Sequence, residues 1–182
     1  ILKAGGFDAV IGNPPYVRVS NVEEEVRPYL YKRYDITHRF DIYVVFVLRS
    51  YELLSGKGQL GFILPNKFFT ADYGKNLRAF LSSSRSLRSI MDFGDSQVFP
   101  GASTYTCLLF LSKEPHNAVR YKSAIASPSS MTVDNASLIE ADLSRFTEEP
   151  WSFGSPQAAI LLGRLKAFPC LGEFCEIKHG LQ

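Results

Sequence analysis

The stretch FDAVIGNPPYV at residues 7–17 joins an apolar run to an amide, two prolines and an aromatic residue. Each proline fixes its φ angle and lacks a backbone N–H donor, so a strand over residues 8–12 has to end before Pro14. Open α/β sheets place their ligands at stiff loops just beyond strand ends. An isolated Pro-Pro dipeptide favours a simple turn, with Tyr16 packed against the sheet. The stretch therefore predicts either such a turn or a ligand-binding loop at the edge of an α/β sheet.

Apolar segments of strand length alternate with segments of helix length along the first 111 residues. The predicted strands are residues 8–12, 59–64, 87–93 and 104–111, and the predicted helices are residues 41–54 and 71–83. Asp41 is the expected N-cap of the first helix, although local propensity also permits a strand over residues 42–47. The alternation predicts an α/β fold with a mostly parallel sheet and crossover helices. The last strand follows its predecessor without a helix, so we expect it to be antiparallel.

The composition is that of an ordinary globular protein, with 46% hydrophobic and 21% charged residues and a net charge of +2 over 182 residues. That net charge is too small to indicate nucleic acid by itself, and the basic run at 74–91 is more typical of a solvated helix face. The longest apolar run, residues 42–48, is too short to span a bilayer, so no membrane partner is predicted. Cys170, Cys175 and His179 lack the usual zinc-site spacing, and no metal is predicted.

The NPPY loop combines three features that suit one chemical task. The Asn13 side-chain oxygen and the Pro14 carbonyl can each accept one N–H from a planar NH₂ group. Such an amine is a poor nucleophile because its lone pair is delocalised into its ring, and two acceptors favour a more tetrahedral nitrogen with an exposed lone pair. This device works by positioning and electrostatic stabilisation, without a strong base. Tyr16 offers a flat face for stacking a base, worth roughly 1–3 kcal/mol.

FDAVIGNPPYV resembles the catalytic motif of the S-adenosylmethionine-dependent amino-methyltransferases, specifically the adenine-N6 DNA methyltransferases of bacterial restriction–modification systems. DIYVVFVLRSYELLSGKGQLGFILPNKFF, which begins at Asp41, resembles the family's next helix and strand, which border the cofactor pocket. FGDSQVFPGASTYTCLLFLSK, which begins at Phe93, resembles a later motif whose aromatic residue packs against the extruded base. The resemblance covers roughly residues 6–113 and implies a Rossmann-like methyltransferase sheet, of which this chain contains the C-terminal half.

The resemblance also implies roles for individual residues. Asn13, Pro14 and Tyr16 are the expected catalytic residues, and Phe99 and Pro15 are expected to contact the adenine, with Tyr16 and Phe99 on either side of its ring. Because N6 is inaccessible to a methyl donor inside the duplex, the base has to be extruded. The expected cofactor is S-adenosylmethionine, and the site contains no metal.

Tyr43 and Phe46 match a family motif near the methionine end of the cofactor. A buried helix needs apolar residues in any case. For Phe46, packing in the core is therefore favoured over contact with the cofactor. For Tyr43, core packing and cofactor contact are equally supported.

The resemblance does not extend to the family's cofactor-binding loop, and the last residues of the chain resemble only the beginning of a further domain. The family binds its cofactor on a glycine-rich loop, and no such strand–helix junction precedes residue 7. We expect residues 1–123 to be the catalytic half of a methyltransferase domain and residues 124–150 to be a linker. Residues 151–182 are expected to begin a truncated target-recognition domain, because FCEIKHGLQ at 174–182 resembles its opening strand. The expected partners are double-stranded DNA and an endonuclease domain or subunit, in the bacterial cytoplasm.

Two alternatives remain open from the sequence. NPPY also serves a glutamine amide, so a protein-glutamine or RNA amino-methyltransferase is the nearest rival. The long segment at 17–40 and the tail favour DNA. The second alternative is that the chain is an inactive scaffold or a DNA-contacting fragment of a larger enzyme.

Overall fold

A computed structural model of the chain describes residues 5–36, 39–96, 98–99, 104–123, 138–153, 161, 163–165 and 167–176. The chain divides into two compact units, Ile1–Trp151 and Ser152–Gln182. The first unit contains a six-stranded sheet with its helices. The described part of the second contains helical residues at 161 and 163–165 and a short 3-10 turn at Leu171–Glu173. Residues 177–182 of the expected recognition strand lie outside the described residues.

The first unit follows the predicted alternation of strands and helices. Its strands are β1 (Phe7–Gly12), β2 (Leu54–Pro65), β3 (Leu87–Asp92), β4 (Thr106–Ser112), β5 (Ala118–Ser123) and β6 (Ile139–Asp142). Its helices are α1 (Arg27–Tyr34), α2 (Tyr43–Glu52) and α3 (Lys75–Ser83), with 3-10 turns at Val19–Asn21, Asn66–Phe69, Asp72–Gly74 and Leu143–Arg145. The predicted α/β class is confirmed, and the apolar segment after Asp41 is a helix, as predicted.

The sheet has the strand order β1-β2-β4-β3-β5-β6. β1 is parallel to β2 and β3 is parallel to β5, whereas β4 is antiparallel to both of its neighbours, β2 and β3. The prediction of an antiparallel last strand is therefore confirmed for β4. β6 is a second antiparallel strand, because it pairs with β5 from Ala118↔Asp142 to Tyr121↔Ile139.

Two segments for which no helix or strand was predicted, residues 124–150 and residues 17–40, contain regular structure. The expected linker at 124–150 includes β6 and the turn that follows it, so the linker prediction is wrong for these residues. β6 has only four residues, IEAD, and its backbone pairing with β5 is what makes it a strand. The connection at 17–40 contains α1, in which Leu30 alone is buried. Neither segment has an apolar pattern strong enough to be recognised locally.

The core lies around the centre of the sheet. The fully buried aliphatic side chains include Leu60 and Leu64 of β2, Leu109 of β4, and Leu77 and Leu81 of α3. Because β4 is antiparallel, its first residue lies beside the last residues of its neighbours, as Pro65↔Thr106 and Asp92↔Cys107 show. The loops after β1 and β2 and the loop that joins β3 to β4 therefore lie at one edge, the carboxyl edge of the parallel strands.

Candidate active site

Hydrogen bonds connect the loops at the carboxyl edge to one another. After β2, the Asn66 backbone N–H donates to the Tyr105 carbonyl at 3.1 Å, and the Asn66 side-chain N–H donates to Asp92 Oδ1 at 2.9 Å. The Gly94 N–H donates to the same Asp92 oxygen at 3.1 Å. These bonds join the loop after β2 to the end of β3 and to the start and end of the loop between β3 and β4. This edge of the sheet is therefore cross-linked by polar contacts.

The NPPY segment lies directly after β1, as the sequence predicts. Pro14 is buried, whereas Asn13 and Pro15 are exposed and Tyr16 is half-buried. The buried proline fixes the chain against the sheet while the neighbouring amide side chain stays accessible. An exposed amide on an anchored backbone is what the proposed recognition of an amine requires.

The Tyr16 ring is attached to the neighbouring strand. Its hydroxyl donates to the backbone carbonyl of Ile63 in β2 at 3.3 Å. Burial, and to a lesser extent the nearby Cys107 thiol, raises the pKa of Tyr16 to about 12. The phenol is therefore neutral at physiological pH and acts as a hydrogen-bond donor to the sheet.

A cavity of about 760 Å³ opens beside Tyr16. The segment after NPPY and the segment before α2 run side by side there, since the Val19 N–H donates to the Phe40 carbonyl at 2.9 Å and the Ile42 N–H donates to the Val17 carbonyl at 2.7 Å. The loop after β2 contributes another side of the cavity. This volume lies within the range of small-molecule sites, roughly 300–1,000 Å³.

Asp41 and Tyr73 line this cavity and belong to a chain of three polar side chains that ends at the buried Tyr43. The Tyr73 hydroxyl donates to Asp41 Oδ2 at 3.2 Å and lies 3.2 Å from the Tyr43 hydroxyl. Burial raises the pKa of Tyr73 to about 12 and raises the pKa of Tyr43 further above its usual value. Asp41 is thus not the N-cap that we predicted: α2 begins at Tyr43 without a side-chain cap, and the Asp41 carboxylate accepts from Tyr73 instead.

The two expected cofactor residues on α2 have opposite environments. Tyr43 is fully buried, and its ring meets Phe68 edge-on at 6.5 Å between centroids. Phe46 is 43% exposed, so the interpretation of Phe46 as a core residue is wrong. α2 is apolar nearly all round, and its sequence does not show which side faces the sheet. Contact of either residue with a cofactor stays a prediction.

Phe99 lies in a bend between β3 and β4 and is half-buried. The strand order places its loop at the same edge of the sheet as Tyr16. Pro100, the residue after it, lies outside the described residues. The facing arrangement of the Tyr16 and Phe99 rings stays a prediction.

The described cysteines do not share a site. Cys107 is buried, Cys170 and Cys175 are exposed, and His179 lies outside the described residues. Across the described ranges, no group of three His, Cys, Asp or Glu residues could hold a metal ion. Within the same ranges no helix combines the length and apolarity needed to cross a membrane.

The family model of the Eco57I restriction-modification methylase matches residues 1–99, which include the NPPY segment, α2 and Phe99. The chain belongs to this family. It is 43% identical over 115 residues to the type II restriction enzyme and methyltransferase RM.Eco57I of Escherichia coli, covering 61% of this chain and 12% of that relative. It is 32% identical over 200 residues to the type II methyltransferase M.BstVI of Geobacillus stearothermophilus, covering 96% of this chain and 36% of the relative. The chain thus spans between about an eighth and about a third of these two proteins.

Solved structures share the fold of this chain. The DrdV–DNA complex matches with a TM-score of 0.64 and 14% identity, over 82% of this chain and 18% of that one. The type IIG restriction endonuclease BpuSI matches with a TM-score of 0.60 and 13% identity, over 91% of this chain and 23% of that one. At such identities the likeness supports the fold of the sheet, a Rossmann-like methyltransferase sheet.

Sequence reasoning missed the cations that line the cavity. Arg18, Arg39 and Lys67 come from three separate segments and all face this cavity. Lys67 follows the strand-ending Pro65 by two residues, a position that strand-end reasoning can identify. Arg18 and Arg39 have no such signal, because the pairing of residues 17–19 with residues 40–42 is what brings them together.

Proposed function

We propose that this methylase transfers a methyl group from S-adenosylmethionine to the N6 amine of an adenine extruded from DNA. The observation that carries the proposal is the NPPY segment: an exposed Asn13 side chain on an anchored strand end, beside a nucleotide-sized cavity lined by Tyr16. Membership of the Eco57I family supports the coarser class, a restriction–modification methyltransferase.

The residues of the chain would act on the amine. Asn13 Oδ1 and the Pro14 carbonyl accept the two N–H bonds of the amine, which leaves the nitrogen lone pair free for the methyl carbon. S-adenosylmethionine would supply the electrophilic methyl group: its S–CH₃ bond would break as the N–CH₃ bond forms, leaving a thioether, and the methylated amine would release one N–H proton to water. Tyr16 positions the ring by stacking, with Phe99 and Pro15 on the remaining sides. These contacts lower the barrier through orientation and charge stabilisation at the reacting nitrogen.

The exposed face of α2 fits the proposed cofactor role. Phe46 offers an accessible apolar surface for the methionine end of the cofactor. Tyr43 is buried beneath it, and its hydroxyl is engaged with Tyr73. We therefore assign the direct contact to Phe46 and a supporting position to Tyr43.

DNA is the proposed substrate, and endonuclease activity in the same protein belongs to the proposal. The Escherichia coli relative is named as both a restriction enzyme and a methyltransferase, and DrdV, which shares the fold, was solved with DNA. Both facts concern those proteins, and they favour DNA over RNA or a protein glutamine as the substrate of this one.

The test is Asn13→Ala in the natural protein that carries this chain. Removing one of the two acceptors should reduce transfer of tritiated methyl groups to DNA by roughly 10²–10³-fold or more, by analogy with the loss of one preorganised oxyanion donor. The affinity for S-adenosylmethionine should stay close to that of the unmodified protein. Asn76→Ala, an exposed asparagine on α3, is the matched control and should leave transfer unchanged.

Digestion of the product DNA to nucleosides identifies the methylated atom. N6-methyladenine is the expected product. Unchanged transfer in Asn13→Ala would overturn the proposed role of NPPY. If protein glutamine or RNA is methylated and DNA is left unmodified, the same mechanism acts on one of the rival substrates instead of DNA.

A further inference from the structure

The cavity beside Tyr16 contains more positive than negative side chains. Arg18, Arg39 and Lys67 line it and are exposed, and Asp41 is the carboxylate among its lining residues. Asp41 already accepts a hydrogen bond from Tyr73. Among the described residues, none of the three cations forms an ion pair or donates a side-chain hydrogen bond.

Other arginines of the same unit have partners within the protein. Arg27 donates to the carbonyls of Ser20 and Val22, Arg33 and Arg49 both pair with Glu52, and Arg88 donates to Gln59. These four arginines therefore have acceptors within the protein. The three cations of the cavity face a space in which Asp41 is the acidic lining residue, so the charges of the lining favour an external anion.

The segments that carry these cations are fixed by backbone hydrogen bonds. Arg18 lies in the paired segment at 17–19, Arg39 directly precedes the partner segment at 40–42, and Arg27 donates to the Ser20 carbonyl at 2.8 Å. Lys67 follows Asn66, which is bonded to both Tyr105 and Asp92. Little rearrangement is needed to present the three charges, so the ordering cost of binding an anion is reduced.

We infer that this cavity binds the phosphodiester groups that flank the extruded nucleotide. The inference rests on the proposed function and adds an anchor for the sugar–phosphate chain to the base contact at Tyr16. Arginine guanidinium groups match phosphate in bidentate geometry, and a lysine adds a point charge. The cavity volume of about 760 Å³ accommodates a ligand of nucleotide size. Arg18, Arg39 and Lys67 are thus assigned as substrate-positioning residues.

The first experiment measures how DNA affinity depends on salt in the natural protein that carries this chain. The variant Arg18→Gln/Arg39→Gln/Lys67→Gln is compared with Lys32→Gln/Lys57→Gln/Arg145→Gln, which removes the same charge from exposed positions outside the cavity. Each lost phosphate contact should reduce the slope of log K against log[KCl] by about 0.7–0.9. We expect a reduction of about 2–3 for the cavity variant and a smaller one for the control, with unchanged Tm in both because all the side chains are exposed.

The second experiment uses two small probes, deoxyadenosine and deoxyadenosine 3′,5′-bisphosphate, as competitors of labelled DNA. The bisphosphate should bind at least about tenfold more tightly to the unmodified protein, as expected for charge-assisted hydrogen bonds. The cavity variant should lose this preference, and the control variant should keep it. Lys67→Arg, which retains a cation, should preserve most of the preference.

Three outcomes would overturn the inference. The first is a salt slope in the cavity variant equal to that of the control, and the second is equal affinity for the two probes. The third is a loss of affinity for S-adenosylmethionine with DNA affinity intact, which would assign the cations to the cofactor carboxylate. The Asn13→Ala assay is independent: if that variant retains full transfer while the cavity variant loses its salt slope, the phosphate site is right and the proposed role of NPPY is wrong.

Discussion

Tyr16 combines a hydrogen bond to the sheet with an aromatic face toward the cavity. The bond to the Ile63 carbonyl restrains the ring, and burial raises the pKa of its hydroxyl to about 12. A raised pKa preserves the protonated, neutral phenol as the pH rises, so ionisation of this group begins only well above pH 10. The residue is therefore suited to stacking and unsuited to proton transfer at physiological pH.

Substitutions of Tyr16 separate these two contributions. Tyr16→Ala should reduce methyl transfer by about 5–150-fold, as expected from the loss of roughly 1–3 kcal/mol of stacking, and should do so less than Asn13→Ala because Phe99 shares the stacking. Tyr16→Phe should retain most of the activity, and its rate should show the same dependence on pH as the unmodified protein between pH 7 and 10. The measurement is the initial rate of tritiated-methyl transfer across that range.

Tyr29→Phe, at an exposed tyrosine on α1, controls for general effects of removing a hydroxyl. A rate that changes with the ionisation of Tyr16 below pH 10, or a Tyr16→Ala variant of full activity, would contradict the assigned role.

At the scale of elements, Arg78 connects α3 to two loops. Its guanidinium donates to the carbonyls of Phe68 at 2.6 Å, Ala71 at 2.9 Å and Glu148 at 2.8 Å, and the residue is almost fully buried. The first two carbonyls belong to the region that follows β2 and carries Lys67. The third belongs to the segment before Trp151, whose backbone N–H donates to the Phe69 carbonyl at 2.8 Å. One buried side chain thus stabilises a border of the cavity and the end of the sheet unit together.

Replacing Arg78 by methionine should lower the free energy of unfolding by about 2–4 kcal/mol. The apolar side chain fills the space but leaves buried carbonyls without donors, which is costly in a dry environment. Urea unfolding at neutral pH provides the measurement. Arg88→Met, at a partly exposed arginine bonded to Gln59, should change the stability by less than about 0.5 kcal/mol. Equal effects of the two substitutions would show that the three carbonyl contacts do not stabilise the unit.

At the scale of the whole molecule, β1 lies at an edge of the described sheet. It pairs with β2 on one side, and apolar side chains along it are accessible, with Ile11 86% exposed. The chain also spans only a minor share of the relatives that it matches. An accessible apolar edge strand is a suitable surface for further strands or for another part of a protein.

We therefore expect the 182-residue chain expressed alone to bind S-adenosylmethionine weakly or not at all and to transfer no methyl group. Asn13 and Pro14 provide the amine side of the reaction, and Phe46 provides one accessible contact for the donor. Placing both reactants in near-attack geometry can contribute about 7–11 kcal/mol of barrier reduction in favourable cases, and this contribution is lost when one reactant is not held. Calorimetric titration with the cofactor, followed by the transfer assay, compares the chain alone with its natural full-length protein. Tight binding and efficient transfer by the chain alone would contradict this expectation.

The sequence by itself determined the features that depend on local backbone chemistry. The prolines at 14 and 15 end β1, the apolar run after Asp41 is too long for a typical strand and forms α2, and the absence of a helix before β4 makes that strand antiparallel. The NPPY motif and its companions were also enough to predict the family. Each of these conclusions rests on residues that are neighbours in the chain, so it could be reached before the structure was known.

Only the tertiary structure decided the features that depend on distant partners. β6 exists through its pairing with β5, and the Asp41 carboxylate is engaged by Tyr73, 32 residues away, instead of capping α2. The exposure of Phe46 was equally undetermined, because the apolar residues around α2 do not specify its buried side. Arg18, Arg39 and Lys67 look like ordinary solvated cations in the sequence and line one cavity in the fold. Their convergence depends on which segments pair across the carboxyl edge, and that pairing is settled by the packing of the whole sheet.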